Sequence, residues 1–223
     1  MCGRFTLTVD PGQLQDAFPW VEFPENIIQR YNIAPSQPVG VIPNDGQNRM
    51  DFYNWGLIPF WAKDPKIGNR MINARSETIA EKPSFRSSFK YKRCLILADG
   101  FYEWKKEPGS TSKTPYFIHM KDSLPFAFAG LWDIWHSKDG SEIRTCTIIT
   151  TEPNQLLQEI HNRMPVILPT EAFTSWLQEG ENEPDLLQSF LQPYPSEMME
   201  AFPVSRTVNS PQNDSPECIV PVK

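Results

Sequence analysis

A cysteine stands at position 2, in the opening run MCGRF, one peptide bond from the end of the chain. Termini fray, so a cysteine kept for packing belongs in the interior of an element instead. Removal of Met1, expected when the second residue is small, leaves Cys2 with a free α-amine beside its thiol. An α-amine titrates near about 7.7–8.0 against about 10.4 for lysine, so its free-base fraction at neutral pH is roughly several hundred-fold larger. Such a 1,2-aminothiol can take an aldehyde as an imine on nitrogen and then close a five-membered thiazolidine through sulfur, an intramolecular step favoured by proximity. Alternatively the thiol attacks a carbonyl with the amine as its base, as in N-terminal nucleophile hydrolases. Gly3 lets a substrate approach the backbone, and Arg4 offers a fixed positive charge beside it. The pair Met-Cys is a weak motif by itself, and a cysteine that merely tolerates its place fits it as well.

The other cysteines, Cys94, Cys146 and Cys218, form no C-x-x-C pair or His-rich spacing, which argues against a metal and against a disulfide scaffold. Cys94 in RCLILADG and Cys146 in TCTIIT sit in apolar runs and are expected as small buried hydrophobes; Cys218 falls in the tail. No apolar run approaches the length of a membrane span and MCGRFTLTVD has no signal-type h-region, so the expected compartment is a reducing cytoplasm.

A net charge of −6 argues at first against nucleic acid, but the charge is unevenly distributed. Residues 62–106 carry 11 Lys/Arg against 5 Asp/Glu, whereas residues 171–217 carry 9 acids and Arg206 alone. Charge by itself leaves open two solvated faces of opposite sign or a polyanion-binding strip.

The elements that must hold Cys2 in place are mostly strands. RFTLTVD alternates Phe5, Leu7 and Val9 as a half-buried strand does, and PGQLQDAF follows it as a short helix. Further strands are expected at 38–42, 50–56, 94–98, 101–105, 115–120, 126–133, 144–150 and 164–168, most bounded by Pro, Gly, Asp or Asn. Helices are expected at 76–81, 154–160, 170–178 and 184–191, with Thr170 as the N-cap of the third. With 22 Pro and 11 Gly and no long linker or repeat, this pattern predicts one α+β domain over residues 1–223. Its strongly bent, barrel-like and mostly antiparallel sheet carries short peripheral helices, and residues 207–223 form a mostly extended tail. Trp55, Trp104 and Trp132 lie in strand patterns and are expected in the core, and His119 and His136 are expected to be structural.

The runs MCGRF, YNIAPSQ, WGLIPFW, MINARSET, RCLILADGFYEWK, FAGLW, TIIT, IHNRMPVIL and VSRTVNSP occur in this order. Together they resemble the SRAP family of abasic-site processing proteins, over nearly the whole chain. The resemblance implies that processed Cys2 crosslinks covalently to abasic sites in single-stranded DNA, ending as a thiazolidine with the ring-opened deoxyribose. It also places Asn73, Glu103 and His161 in the active site. Opening the closed hemiacetal of an abasic sugar needs a proton moved, work that suits Glu103; His161 suits proton shuttling or holding the freed hydroxyl, and Asn73 orients without titrating. Read without the family, Glu103 is equally the outward member of an alternating strand, His161 a helix C-cap and Asn73 a turn residue.

The same resemblance puts Arg4, Arg75, Arg86 and Arg163 at or beside phosphate-contacting positions, two of them within the basic strip. Trp61, next to Phe60, is the candidate to stack on or wedge against a base flanking the lesion. Asn69 stands where some relatives carry a second aromatic. No cofactor, metal or membrane is implied, and a monomer is expected. The historical family name implies a peptidase, compatible with self-catalysed removal of Met1. The alternative reading is a glutamine amidotransferase-like hydrolase, which also begins MCG, although CGRF and FYEW do not fit it.

Overall fold

The computed structural model describes residues 2–107, 109 and 111–222. In chain order it contains β1 (Phe5–Leu7), α1 (Pro11–Ala17), β2 (Arg30–Ile33), β3 (Pro38–Pro43), β4 (Asp51–Trp55), β5 (Asn73–Arg75) and α2 (Arg86–Tyr91). Then follow β6 (Arg93–Ala98), β7 (Gly100–Lys106), β8 (Lys113–Met120), β9 (Phe126–His136), β10 (Glu142–Thr151) and α3 (Gln155–Gln158). The last elements are β11 (Met164–Pro165), β12 (Ile167–Leu168), α4 (Phe173–Trp176), α5 (Pro184–Ser189) and β13 (Met199–Pro203).

Strands β10, β4, β3, β6 and β9 pair in that order, and the β9–β10 hairpin closes them into a barrel. The β4–β10 pairing is parallel and the others antiparallel, so the barrel is mixed. The strongly bent, barrel-like sheet is thus present. Five further strands, in the order β13-β8-β7-β1-β2, form a second, wholly antiparallel sheet. Asp99 alone separates β6 of the barrel from β7 of this sheet.

One face of the second sheet packs on the barrel: Phe5 meets Trp55 and Phe128 edge-on at centroid distances of 5.1 and 5.7 Å. Its other face buries Tyr102 and Phe117 against Val204, Val208 and Cys218 of the C-terminal segment. That segment is not an extended tail. It winds through 3-10 turns at Arg206–Asn209 and Pro216–Ile219, because Val208 and Cys218 must turn inward to cover Tyr102. Cys94 and Cys146 are fully buried in the barrel core as expected.

Other expectations shift locally. The 164–168 strand divides, β11 pairing with β10 and β12 with β9, while Val166 bridges the two strands through its own backbone bonds. The 76–81 helix is a 3-10 turn over Ser76–Thr78. Thr170 does not cap a helix; its hydroxyl bonds Glu171, and a 3-10 turn precedes α4. Trp55 is fully buried, whereas Trp104 and Trp132 are partly exposed. Among the described residues no helix is long and apolar enough to cross a membrane.

Candidate active site

Cys2 lies just before β1, and three contacts hold this end of the chain against fraying. The β1–β7 pairing sets Phe5 opposite Phe101, and the Tyr102 N–H donates to the Arg4 carbonyl at 2.9 Å, continuing the ladder toward Cys2. Asp99 accepts from the Thr6 hydroxyl, from the backbone and hydroxyl of Thr8, and from the Val9 N–H, which fixes the far end of β1. Asn73, at the head of β5, donates from Nδ2 to the Cys2 carbonyl at 2.8 Å. Asn73, read without the family as a turn residue, is a strand residue that bridges the barrel edge to the first residues of the chain. Its Oδ1 is buried with no hydrogen-bond partner among the described residues.

Glu103 on β7 is only 2% exposed, which overturns the reading of it as an outward strand residue. Alternation along β7 sets Tyr102 and Trp104 toward the C-terminal segment and Glu103, with Phe101, toward the barrel. Burial raises the Glu103 carboxyl to about 7, opposed by its bond from the Trp104 backbone and by the Lys113 charge. Burial also pushes the Cys2 thiol up, and the Glu103 charge adds to that. His161 follows α3, where its N–H closes on the Leu157 carbonyl at 2.7 Å as a C-terminal residue would. His161 Nδ1 lies 3.1 Å from the Arg163 N–H and 3.3 Å from the Arg163 carbonyl, partners that suit the two neutral tautomers in turn, and Nε2 lies 3.9 Å from Glu103 Oε2. Burial lowers His161 and favours the neutral ring, with the Lys113 and Arg163 charges acting in the same direction. Cys2, Asn73, Glu103 and His161, far apart in sequence, thus converge where the second sheet meets the β5–β10 edge.

The residues expected to meet DNA divide into two groups. Trp61 and Phe60 are 48% and 58% exposed, and with Arg86, Lys90 and Tyr91 they line an open groove of about 720 Å3. The loop that projects them leaves β4 through Gly56, at φ +140°, where a Cβ would stand 2.6 Å from the Gly68 carbonyl oxygen; only glycine fits. Asn69 lies in a second hollow beside Trp61, with Lys63 and Arg70. Arg75 and Arg86 are exposed, and their side chains make no hydrogen bond or ion pair among the described residues.

Arg4 and Arg163 are instead engaged within the fold. Arg4 Nη1 donates to Asn32 and to the Val208 carbonyl at 2.7 Å each, with its guanidinium over Trp104. Arg163 forms a two-pronged ion pair with Glu77 and donates to the Thr150 carbonyl at 2.7 Å. Sequence reasoning missed two residues. Lys113, opposite Lys106 in the β7–β8 ladder, sends its charge onto Glu103 and His161, and a lysine in a turn-rich stretch carries no signal of that role. Asp99, the clamp on β1, stands within the RCLILADGFYEWK run, where nothing local marks it as a clamp. His119 and His136 pair with Glu200 and Glu142 away from the site.

The family model described as SOS response associated peptidase (SRAP) matches residues 1–211. The abasic site processing protein YoqW of Bacillus subtilis (strain 168) is 53% identical over 222 residues, covering 98% of this chain and 99% of that protein. The abasic site processing protein HMCES of Rattus norvegicus is 33% identical over 236 residues, covering 89% of this chain and 66% of that one. Among solved structures, the X-ray structure of a protein from Bacteroides thetaiotaomicron superposes with a TM-score of 0.88 at 30% identity, covering both chains completely. The chain belongs to the SOS response associated peptidase (SRAP) family.

Proposed function

We propose that this protein processes abasic sites in single-stranded DNA by forming a covalent crosslink through Cys2 after removal of Met1, shielding the lesion. The observation that carries this reading is the placement of Glu103. A carboxyl raised to about 7 is both acid and base at neutral pH, and it lies beside a buried cysteine whose carbonyl is held by Asn73. The proteins most like this chain are named abasic site processing proteins, which supports the substrate class.

The chemistry follows from these groups. Glu103 takes the proton from the sugar C1 hydroxyl as the C1–O4 bond breaks, and the Nε2-protonated tautomer of His161, within reach of Glu103, protonates the freed C4 oxygen. The Cys2 α-amine adds to the C1 aldehyde and water leaves, giving an imine. Sulfur then adds to C1, its proton passing to the imine nitrogen, and the thiazolidine closes. Phe60, Trp61, Arg86 and Lys90 offer stacking surface and positive charge for the flanking strand, with Arg75 exposed on β5. The protein acts as a monomer with no cofactor, in the cytoplasm.

Intact mass analysis after incubation with an abasic single-stranded oligonucleotide tests this reading. The expected product is protein lacking Met1 plus oligonucleotide less one water, stable to denaturant. A variant that retains Met1 has an amide where the amine should be, and its forming the same stable adduct would falsify the aminothiol mechanism. Release of ammonia from glutamine without any DNA adduct would favour the amidotransferase reading instead.

A further inference from the structure

A second groove, of about 640 Å3, opens where the end of α1, the turn into β9, β12 and the segment after α5 come together. It shares no residue with the Trp61 groove or with the Cys2 site. Its walls carry the rings of Phe18, Phe126, Phe173, Phe190 and Tyr194, and Phe18 stacks on Phe173 at 5.7 Å. Leu124 and Met198 stand in it 55% and 47% exposed, adding apolar surface that a purely solvated face does not need. Pro125, Pro169, Pro193 and Pro195 stiffen its lining, so little ordering is required when something binds.

The charge of this groove is one-sided. Asp122 and Glu171 line it, and among the described residues no Lys, Arg or His does. Both carboxylates are felt inside, because they add to burial in raising the Tyr194 hydroxyl. Other acids of residues 171–217 lie elsewhere, Glu181 on Lys90 and Asp214 on Arg30, so the negative character of the groove rests on Asp122 and Glu171. Nucleic acid is repelled from such a surface. Aromatic faces and carboxylates both attract a cation, and a lysine or arginine stem also lies along apolar walls.

We infer that this groove docks a partner protein through a short segment that seats an apolar side chain among the rings and sets flanking Lys or Arg against Asp122 and Glu171. The partner and a basic-face ligand can then be held together, since the two surfaces carry opposite sign and share no residue.

Selection from a phage-displayed library of random seven-residue peptides on the immobilised protein tests the inference. Enriched peptides are expected to combine an aromatic or aliphatic residue with Lys or Arg. As synthetic peptides they should bind at least tenfold more weakly to the Asp122→Lys/Glu171→Lys protein and to the Leu124→Ser/Met198→Ser protein. All four substituted residues are exposed, and unchanged far-ultraviolet circular dichroism of both variants verifies folding. No enrichment, enrichment of uncharged or acidic peptides, or binding indifferent to both variants would overturn the inference. So would concentration-dependent self-association abolished by the same substitutions, which would make a second copy of the chain the occupant.

Discussion

Replacing Glu103 with glutamine should make the protein more stable while slowing its chemistry, and the size of the gain follows from the site. Burial moves the carboxyl from 4.5 to about 7 at a side chain only 2% exposed. Each pKa unit corresponds to about 1.4 kcal/mol, so holding the ionised form inside the fold opposes folding by about 3 kcal/mol. The folded protein binds this proton more tightly than the unfolded chain does. Stability therefore falls as pH rises from 4.5 toward about 7, and the penalty is complete above that. Glutamine keeps the shape and carries no charge. At about pH 8, Glu103→Gln should raise the melting temperature by roughly 6–12 °C, using about 2–4 °C per kcal/mol for a chain of this size. At about pH 4 the two proteins should melt together, since both then carry a neutral side chain. Scanning calorimetry across this range, with the rate of adduct formation on a ring-closed abasic site measured in parallel, checks both halves. Equal melting temperatures at the alkaline end would refute the placement of a strained carboxylate at Glu103.

Trp61→Ala should fold normally, because the ring is 48% exposed, yet slow adduct formation by the factor expected for losing about 1–3 kcal/mol of stacking, read by gel shift in denaturant. Arg75→Ala should reduce the slope of log binding constant against log salt by about 0.7 on intact single-stranded DNA, as one lost phosphate contact does. Arg163→Ala should leave that slope unchanged and lower the melting temperature instead, since its guanidinium is bound to Glu77 and Thr150. Asp99→Ala should lose about 3 kcal/mol in urea unfolding, because it leaves Thr8 and Val9 N–H groups without their shared acceptor.

The barrel strands were legible because each carries enough apolar residues to be recognised alone: RCLILA and FAFAGLW are buried throughout or nearly so. What escaped were elements that exist only through their partners. β5 is three residues long and is a strand because Ile148, Ile149 and Thr150 pair with it. β2 contains Asn32, whose amide is fastened to the carbonyls of Val208, Ser210 and Asn213. β13 is a strand because it completes the edge of β8. Glu103 shows the limit in a single residue. Local alternation gave it a solvent-facing place, whereas in the fold Tyr102 and Trp104 face the C-terminal segment and Glu103 shares with Phe101 the side that packs toward the barrel, where His161 meets it. The family motifs supplied what alternation did not, because they named Cys2, Asn73, Glu103 and His161 together regardless of separation, and the fold brings these four side by side.

The electrostatics of the site also bear on the order of the proposed steps. A thiol pushed up by burial and by a neighbouring carboxylate has almost no thiolate at neutral pH, so sulfur is a poor first nucleophile at Cys2. A carboxylate favours a neighbouring ammonium, so the α-amine of a processed chain becomes nucleophilic by passing its proton to Glu103, a base that the thiol, whose ionisation creates an anion, uses less easily. The carboxylate charge stabilises the iminium ion that forms when nitrogen condenses with the aldehyde. Sulfur then meets a strong electrophile one ring-closure away, where a neutral thiol suffices once its proton has an acceptor. The placement of Glu103 thus suppresses thiol chemistry with bystander carbonyls while promoting the imine. A borohydride-trappable imine should accordingly form on Cys2→Ser at nearly the rate of the unaltered protein, with only the denaturant-stable adduct lost. If Cys2→Ser instead abolishes the trapped imine while its fold is intact, sulfur attacks first and the sequence of steps argued from Glu103 is reversed.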